Sequence, residues 1–206
     1  MPLLTTSARK LLDDVKKAFD MLDKGQFQEA YDAALAVKAA ASAEGITSPL
    51  LTWVLAAAAD QAGDLLGAAR FIEEAVALDV LSVPAARSLS VIQTRLCEAL
   101  LEPDVAADKV GPLYTAIRRL GDPHAVVHVA YAKHMAAEGK LAEAWGVLSA
   151  LVTLSRDELL SEDWELVVEV AERLGKMDEA AEARLTGAVT RCSRRGRFTS
   201  QAPAKA

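Results

Sequence analysis

The sequence predicts an all-α fold built from successive helical hairpins, and three observations lead to it. Alanine, the strongest helix former, accounts for 41 of the 206 residues. No segment alternates apolar and polar residues over the length of a strand. Four glycines, at positions 25, 63, 139 and 175, each separate two amphipathic stretches, at intervals of 38, 76 and 36 residues. A fixed period of this size is typical of a solenoid of helix–turn–helix repeats.

The residues after the four glycines share a pattern that fits a turn between two helices. Glycine adopts the left-handed conformation that such a turn requires. An apolar residue follows two positions later and should enter the seam between the helices: Phe27, Leu65, Leu141 and Met177. An alanine follows five positions later and should allow the paired helices to approach closely: Ala30, Ala68, Ala144 and Ala180. Because the 76-residue interval is twice 38, a degenerate turn is predicted near position 101, at Glu102-Pro103-Asp104.

Caps and prolines set the predicted helix boundaries. Ser48-Pro49 and Asp122-Pro123 each read as an N-cap followed by proline in the first helical position. Gly111-Pro112 should kink or break the helix that contains it. The predicted hairpins are about 6–42, 47–80, 85–120, 122–155 and 157–195. They form a single repeat domain over 1–195, followed by a flexible basic tail at 196–206.

The Gly-x-apolar-x-Glu-Ala turn and the small residues at the helix crossings resemble the tetratricopeptide repeat (TPR) family over about residues 8–190. The second repeat matches along its length, at Leu55, Ala56, Ala59, Gly63, Ala68, Ile72 and Ala75. The resemblance implies a right-handed solenoid of about five stacked repeats, a TPR-like superhelix in which the first helix of each repeat lines a concave groove. It also implies a non-enzymatic scaffold or adaptor that binds a protein or peptide in that groove.

The resemblance assigns groove-facing positions in three repeats. They are Leu50, Trp53, Ala57, Asp60 and Gln61 in the second repeat, Val126, Val129, Lys133, Ala136 and Ala137 in the fourth, and Glu162, Glu165, Glu169 and Glu172 in the fifth. The wall in the second and fourth repeats is apolar with small residues, which suits a peptide with apolar anchors or a helix. Trp53 is the expected hot spot, and ordinary core packing is the alternative for its ring.

The four glutamates of the fifth repeat follow one another at intervals of three, four and three residues, so they share one helix face. Four like charges on one face destabilise a helix unless something compensates them. One interpretation is a patch for a basic peptide or protein surface. The alternative is a solvated face neutralised by the chain's own C-terminal cations, which are Arg191, Arg194, Arg195, Arg197 and Lys205.

Motifs for catalysis are absent, since the chain has no glycine-rich phosphate loop, no nucleophile elbow and no HExxH. His124 and His128 lie four residues apart and could hold a metal together, but no third ligand is evident, and ordinary hydrogen bonding is the alternative. Cys97 falls inside a helix and is expected to be a packed thiol rather than a nucleophile, and Cys192 a loose thiol. No cofactor is predicted, and a metal-dependent regulator using the two histidines stays a further alternative.

Charge and hydropathy narrow the class of partner. The net charge of −6 disfavours non-specific nucleic-acid binding, and the basic tail is too short to be specific for it. No apolar run reaches the roughly 20 residues of a membrane span, and the N-terminal residues lack a signal-peptide core, so a cytoplasmic protein is expected. The expected partner is a protein or peptide with a basic or apolar-anchored segment. A chaperone-like binder of a client's apolar segment is the alternative function, and a homo-oligomer formed through an exposed end of the solenoid is compatible with both.

Overall fold

The computed structural model describes the backbone of residues 6–199 and the side chains of residues 9–192. Ten α-helices and one short 3₁₀ turn (Arg156–Glu158) follow one another in these residues, with no strand among them. The helices are α1 (Thr6–Asp23), α2 (Phe27–Ala43), α3 (Pro49–Ala62), α4 (Leu65–Leu78), α5 (Val83–Leu101), α6 (Ala107–Leu120), α7 (Ala125–Ala137), α8 (Leu141–Leu154), α9 (Ser161–Arg173) and α10 (Met177–Thr199). The predicted all-α class, built from successive helix–turn–helix pairs, is confirmed.

The described residues fall into two compact units. Unit 1 contains the residues up to Glu102 together with Pro112–Asp122, and unit 2 contains Pro103–Gly111 and the residues from Pro123 onward. Helices α1–α5 therefore belong to unit 1 and α7–α10 to unit 2, while α6 is divided at Gly111-Pro112. The single domain over 1–195 and the right-handed superhelix stay predictions.

The four predicted turn glycines all adopt the left-handed conformation, with φ between 74° and 88°. At Gly63, the glycine N–H donates to the Asp60 carbonyl at 3.2 Å, and the next N–H, of Asp64, donates to the Ala59 carbonyl at 2.9 Å. The same pair of bonds closes the turns at the other three glycines. These bonds satisfy carbonyls that a helix end leaves unpaired, so the turn both ends one helix and aims the chain into the next. Gly45, which the spacing did not single out, ends α2 in the same way.

The alanines five positions after these glycines are completely buried, as predicted. Each lets the second helix of its hairpin approach the first, because a methyl group occupies little space at the crossing. The apolar residues two positions after the glycines differ among the repeats. Phe27, Leu65 and Leu141 are half-buried, whereas Met177 is 58 % exposed, so the expectation that every such residue enters a seam is wrong for the last hairpin. Met177 begins α10, the last helix of the described chain.

Of two helix starts predicted from a cap followed by proline, one is confirmed and the other is wrong. Ser48 caps α3 as predicted, since its hydroxyl accepts from the Leu51 N–H at 3.3 Å and Pro49 takes the first helical position. The prediction of a cap at Asp122-Pro123 is wrong. The backbone of His124 is still extended, with ψ of 154°, so α7 begins only at Ala125 and has no side-chain cap.

Pro112 lies inside α6, yet the helix runs unbroken from Ala107 to Leu120. Gly111-Pro112 therefore does not break this helix, and the alternative, that it kinks the helix, stays a prediction. A helical proline removes one hydrogen bond, here the bond to the carbonyl of Asp108 four residues earlier. Asp108 is exposed, so water can replace the lost donor, and Val110, Leu113 and Ile117 remain buried on the helix's inner side.

The C-terminal helix is longer than predicted. α10 continues to Thr199, so residues 196–199 of the predicted flexible tail are helical. Residues 200–206, which complete the predicted tail, lie outside the described residues. Of the five C-terminal cations, only Arg191 has a described side chain.

Candidate functional site

A groove crosses three helices of unit 1, α1, α3 and α5, each of which is the first helix of its hairpin, and we call it the α1/α3/α5 groove. Its volume is about 300 Å³. Its walls include Leu22 from α1, Ala57, Asp60 and Gln61 from α3, and Ser88 and Val91 from α5. Three of the five residues that the TPR resemblance assigned to the second repeat therefore line one cavity.

Trp53, the expected hot spot, links the three helices that form this groove. Its ring is half-buried and lies with its centroid 6.0 Å from that of Phe19 on α1. Its indole Nε1 donates to the Ser88 hydroxyl on α5 at 3.0 Å. Because the buried polar end of the indole has a partner, the ring is held in one orientation. Trp53 thus fixes the spacing of α1, α3 and α5 while part of its surface stays accessible.

Asp60 contributes to the groove wall, but its carboxylate is already neutralised. The residue is only 5 % exposed, and its Oδ1 lies 2.6 Å from Nη1 of Arg95 on α5. The neighbouring Gln61 donates from Nε2 to Oδ2 of the same carboxylate at 3.1 Å. A buried carboxylate needs such partners because burial of an unpaired charge is costly. Asp60 therefore shapes the groove and presents no net charge to a ligand.

The accessible surface around the groove is mainly apolar. Val91 on α5 lines the groove and is 54 % exposed. Leu50, on α3 one turn before Trp53, is 49 % exposed but is not among the residues that line this cavity. Ala57 is half-buried on the floor, and Gln61 is exposed at one end. The apolar Val91 side chain beside the small Ala57 forms a surface that an apolar side chain of a partner can enter.

Leu22, Ser88 and Val91 belong to the groove, but the sequence reasoning missed them. Because the third repeat lacks a turn glycine, its residues could not be aligned with the TPR pattern, and no groove-facing residues could be assigned on α5. A usable signal was present, because Trp53 and Ser88 are 35 residues apart, which is close to one repeat.

The positions assigned in the fourth repeat lie on α7 in unit 2, and they differ in exposure. Val126 is 55 % exposed, Lys133 is exposed and Val129 is half-buried. Ala137 is exposed, whereas Ala136 is buried. The exposed surface at these positions of α7 therefore combines an apolar side chain at the first turn, Val126, with a cation, Lys133.

The glutamate stripe lies on α9, and arginines contact three of its four members. Glu165 Oε1 lies 2.5 Å from Arg191 Nη2, and Glu172 pairs closely with Arg184, both arginines belonging to α10. Glu169 pairs with Arg173 on its own helix at 3.3 Å. Glu162 is exposed. These contacts favour a stripe neutralised by the chain's own arginines rather than a patch left open for a basic peptide. Of the C-terminal cations expected in that role, only Arg191 is seen to contact the stripe, and Arg173 and Arg184 were not predicted.

The same two helices enclose a second cavity of about 410 Å³, which the sequence did not indicate. Trp164 is 2 % exposed and lines it, and its Nε1 has no hydrogen-bond partner among the described residues. The Arg156 guanidinium lies 5.7 Å from the centre of the indole. Gly187 faces the base of this side chain, since a Cβ at that position would lie 2.8 Å from Trp164 Cβ. The close α9–α10 crossing therefore requires glycine at this point.

The remaining candidate residues are dispersed. His124 is exposed at the start of α7 and His128 is half-buried one turn later. Among side chains 9–192, no group of three or more His, Cys, Asp or Glu residues is arranged to hold a metal ion. Cys97 is half-buried on α5, and its burial, with a smaller effect of the Glu98 charge, raises the pKa of its thiol. A raised pKa lowers the fraction of reactive thiolate. In residues 6–199, no helix combines the length and hydropathy needed to cross a membrane.

No protein-family model and no curated protein sequence matches this chain. The solved structures that align with most of this chain share little sequence with it and have TM-scores below 0.5. A TPR protein of Thermus thermophilus is 16 % identical, with 92 % of this chain and 97 % of that chain covered and a TM-score of 0.39. BtubC from P. vanneervenii is 15 % identical, with 98 % and 96 % covered and a TM-score of 0.39. MamA MSR-1 is 13 % identical, with 90 % and 98 % covered and a TM-score of 0.39.

These likenesses are distant, and the assignment of a TPR-like helical repeat rests on the chain itself. Four left-handed glycines close its hairpins with one hydrogen-bond pattern, and a buried alanine follows each of them by five residues.

Proposed function

We propose that this protein is a non-enzymatic scaffold or adaptor that binds a segment of a partner protein in the α1/α3/α5 groove. The observation that carries the proposal is the cavity itself. It lies on the first helices of consecutive hairpins and is bordered by the exposed apolar side chain of Val91 on α5. Trp53 holds these helices at a fixed spacing through Phe19 and Ser88, so the groove exists before a ligand arrives. A preformed groove lowers the ordering cost of binding.

The charge state of the groove defines the chemistry of the segment. The Asp60 carboxylate is paired with Arg95 and accepts from Gln61, so it gives no reason to favour a basic ligand. The remaining walls are apolar or small, with hydroxyl and amide groups at Ser88 and Gln61. We therefore expect a partner segment, extended or helical, that inserts one or two apolar side chains beside Val91 and bonds the Gln61 amide through its backbone.

A selection with a random peptide library displayed on phage tests the proposal on the full chain. We expect enriched peptides to share an apolar anchor and to bind in solution with a measurable dissociation constant. Val91→Arg places a cation at the groove wall and should weaken these peptides at least tenfold. Ser90→Arg adds the same charge to the exposed neighbouring position on α5, about 100° around the helix, and should leave binding unchanged.

Two results would refute this function. In one, no peptide is enriched. In the other, the enriched peptides bind the Val91→Arg and Ser90→Arg variants equally well, which places their site outside the groove.

The same neutral, apolar groove also supports a chaperone-like role, in which the bound segment belongs to a client that is insoluble alone. The two roles differ in the client. Once a partner segment is known, we expect an adaptor's partner to be equally soluble with and without this protein. A chaperone's client should stay in the soluble fraction only when co-expressed with the native chain and not with the Val91→Arg variant.

A further inference from the structure

In this fold the second helix of a hairpin packs on the hairpin that follows. Helix α2 packs against α3, α4 against α5 and α8 against α9. In the first of these contacts, the centroid of the Tyr31 ring on α2 lies 6.3 Å from that of Phe71 on α4. Lys38, two turns later on α2, pairs with Glu74 at 2.5 Å. We call the side of α2 that carries Tyr31, Leu35 and Lys38 its docking face, since their spacing places them together on the helix.

The first hairpin has the equivalent receiving positions on its outer side, and there they are open. Ala33 lies eight residues after its turn glycine, the position that Phe71 has in the second hairpin. Ala36 lies eleven residues after its turn glycine, the position of Glu74, and it is exposed. Both alanines line a cavity of about 450 Å³, together with Met21 of α1. We call this surface the receiving face, because it is the one on which α2 docks in the second hairpin.

Helix α10, the second helix of the last hairpin, carries an exposed docking face. Leu185 lies ten residues after its turn glycine, which is the position of Leu35 on α2. Ala181, one turn earlier, has the position of Tyr31. Leu35 is half-buried, whereas Leu185 is 72 % exposed and Ala181 is exposed. A large apolar side chain is therefore open to solvent at a position that packs on the next hairpin in unit 1.

We propose that α10 of one copy of this chain docks on the receiving face of a second copy, as α2 docks on the second hairpin. On α2, Leu35 lies over the turn 71–74 of α4, because its neighbours on the docking face contact the two ends of that turn. The same register sets Leu185 over the turn 33–36 of the other copy, where its side chain enters the cavity. Position 181 is also alanine, so the two helices can approach closely at this crossing.

Charged groups at the edge of the cavity do not oppose this contact. Lys17 is exposed and already pairs with Asp14 at 3.0 Å. Lys10 is exposed as well. Long lysine side chains can keep their ammonium groups in water while the apolar floor beside them is covered.

The contact joins two different surfaces, so it is heterologous and association need not stop at two copies. A single helix on one hairpin is a small interface, and we expect a dissociation constant on the order of 10 µM. Both faces lie outside the α1/α3/α5 groove, so this inference and the proposed function can fail independently.

Sedimentation equilibrium of the full chain between about 1 and 200 µM tests the association. The native chain should pass from monomer to oligomers across this range. Leu185→Glu and Ala36→Glu should each raise the dissociation constant at least tenfold, because each places a carboxylate in the apolar contact. Leu81→Glu and Ala39→Glu are the matched controls, at exposed positions that belong to neither face, and should leave it unchanged. Circular dichroism checks that the helix content of each variant is preserved.

Mixing the two variants tests whether the two faces pair with each other. The Leu185→Glu variant keeps an intact receiving face, and the Ala36→Glu variant keeps an intact α10. At about 30 µM each variant alone should be mainly monomeric, whereas an equimolar mixture should form one-to-one dimers and nothing larger.

Three results would overturn the inference. The native chain could remain monomeric at 200 µM. It could associate with an affinity that either Leu185→Glu or Ala36→Glu leaves unchanged. Or the mixture of the two variants could fail to form one-to-one dimers, which would show that the two faces do not belong to one contact.

Discussion

Arg95 joins α5 to the last turn of α3 through two contacts with Asp60. Its Nη1 lies 2.6 Å from the Asp60 carboxylate and donates to the Asp60 main-chain carbonyl at 3.2 Å. Unit 2 contains an equivalent contact, in which Arg173 Nη1 on α9 donates to the Ala136 carbonyl in the last turn of α7 at 3.4 Å. Asp60 and Ala136 each lie three residues before a turn glycine. In both units a cation therefore meets the negative end of the preceding first helix, where it is favourable.

Removing the Arg95 guanidinium should destabilise the protein measurably. In Arg95→Met, Asp60 keeps its charge and its burial but loses the cation, and we expect the free energy of unfolding to fall by about 1–3 kcal/mol. Arg87→Met, at an exposed position on the same helix, should change it by less than about 0.5 kcal/mol. Urea unfolding followed by circular dichroism measures both. An Arg95→Met variant as stable as the native chain would show that the Arg95–Asp60 pair does not contribute to the stability of the fold.

Replacing glycine by alanine should have opposite effects on stability at Gly63, which lies in a left-handed turn, and at Gly146, which lies inside a helix. Gly63 has φ of 88°, so a Cβ there strains the turn, and Gly63→Ala should lower the unfolding free energy by about 1–2 kcal/mol. Gly146 lies inside α8 with no heavy atom within 4 Å of an added Cβ. Gly146→Ala should raise it by about 0.5–1 kcal/mol, because alanine favours the helix. Thermal unfolding of both variants checks whether the two changes in unfolding free energy have opposite signs. An equal change in the two variants would contradict the turn geometry.

The bond between Trp53 and Ser88 can be isolated with a double-mutant cycle. Trp53→Phe keeps an aromatic ring beside Phe19 but removes the Nε1 donor, and Ser88→Ala removes the acceptor. Each change should lower the unfolding free energy, with a coupling of about 0.5–1.5 kcal/mol between them. Purely additive effects would mean that the two side chains do not interact in solution.

The two cysteines should differ in reactivity. Burial, with the nearby charge of Glu98, raises the pKa of the Cys97 thiol, and the residue is only partly accessible. Cys192 is exposed. At pH 8, an aromatic disulfide reagent should therefore label Cys192 at least tenfold faster than Cys97, when each is the single cysteine in its variant.

The rate at Cys97 should continue to rise above pH 9, because a raised pKa moves formation of the thiolate to higher pH. A Cys97 that reacts as fast as Cys192 at pH 8 would contradict the burial seen in the structure.

The sequence by itself determined the hairpins of this protein. Turn glycines, the Ser48 cap and the alanines at the crossings act through backbone conformation and side-chain size within a few residues, so their effect can be read from neighbouring letters. This local information located the turns at Gly25, Gly63, Gly139 and Gly175 and the connection near residue 102. It failed at Asp122-Pro123, where the extended backbone of His124 delays the start of α7 to Ala125.

Only the tertiary structure decided what the exposed and charged residues do. Whether Glu165 and Glu172 are open to a partner depends on arginines of α10 that are 26 and 12 residues away. Val91 belongs to the groove and Asp60 is neutralised because α5 packs beside α3. The third repeat lacks a turn glycine, so the sequence did not show which residues of α5 face α3. Spacing along the chain fixes which residues share a helix face, whereas the partner of that face is set by packing between helices.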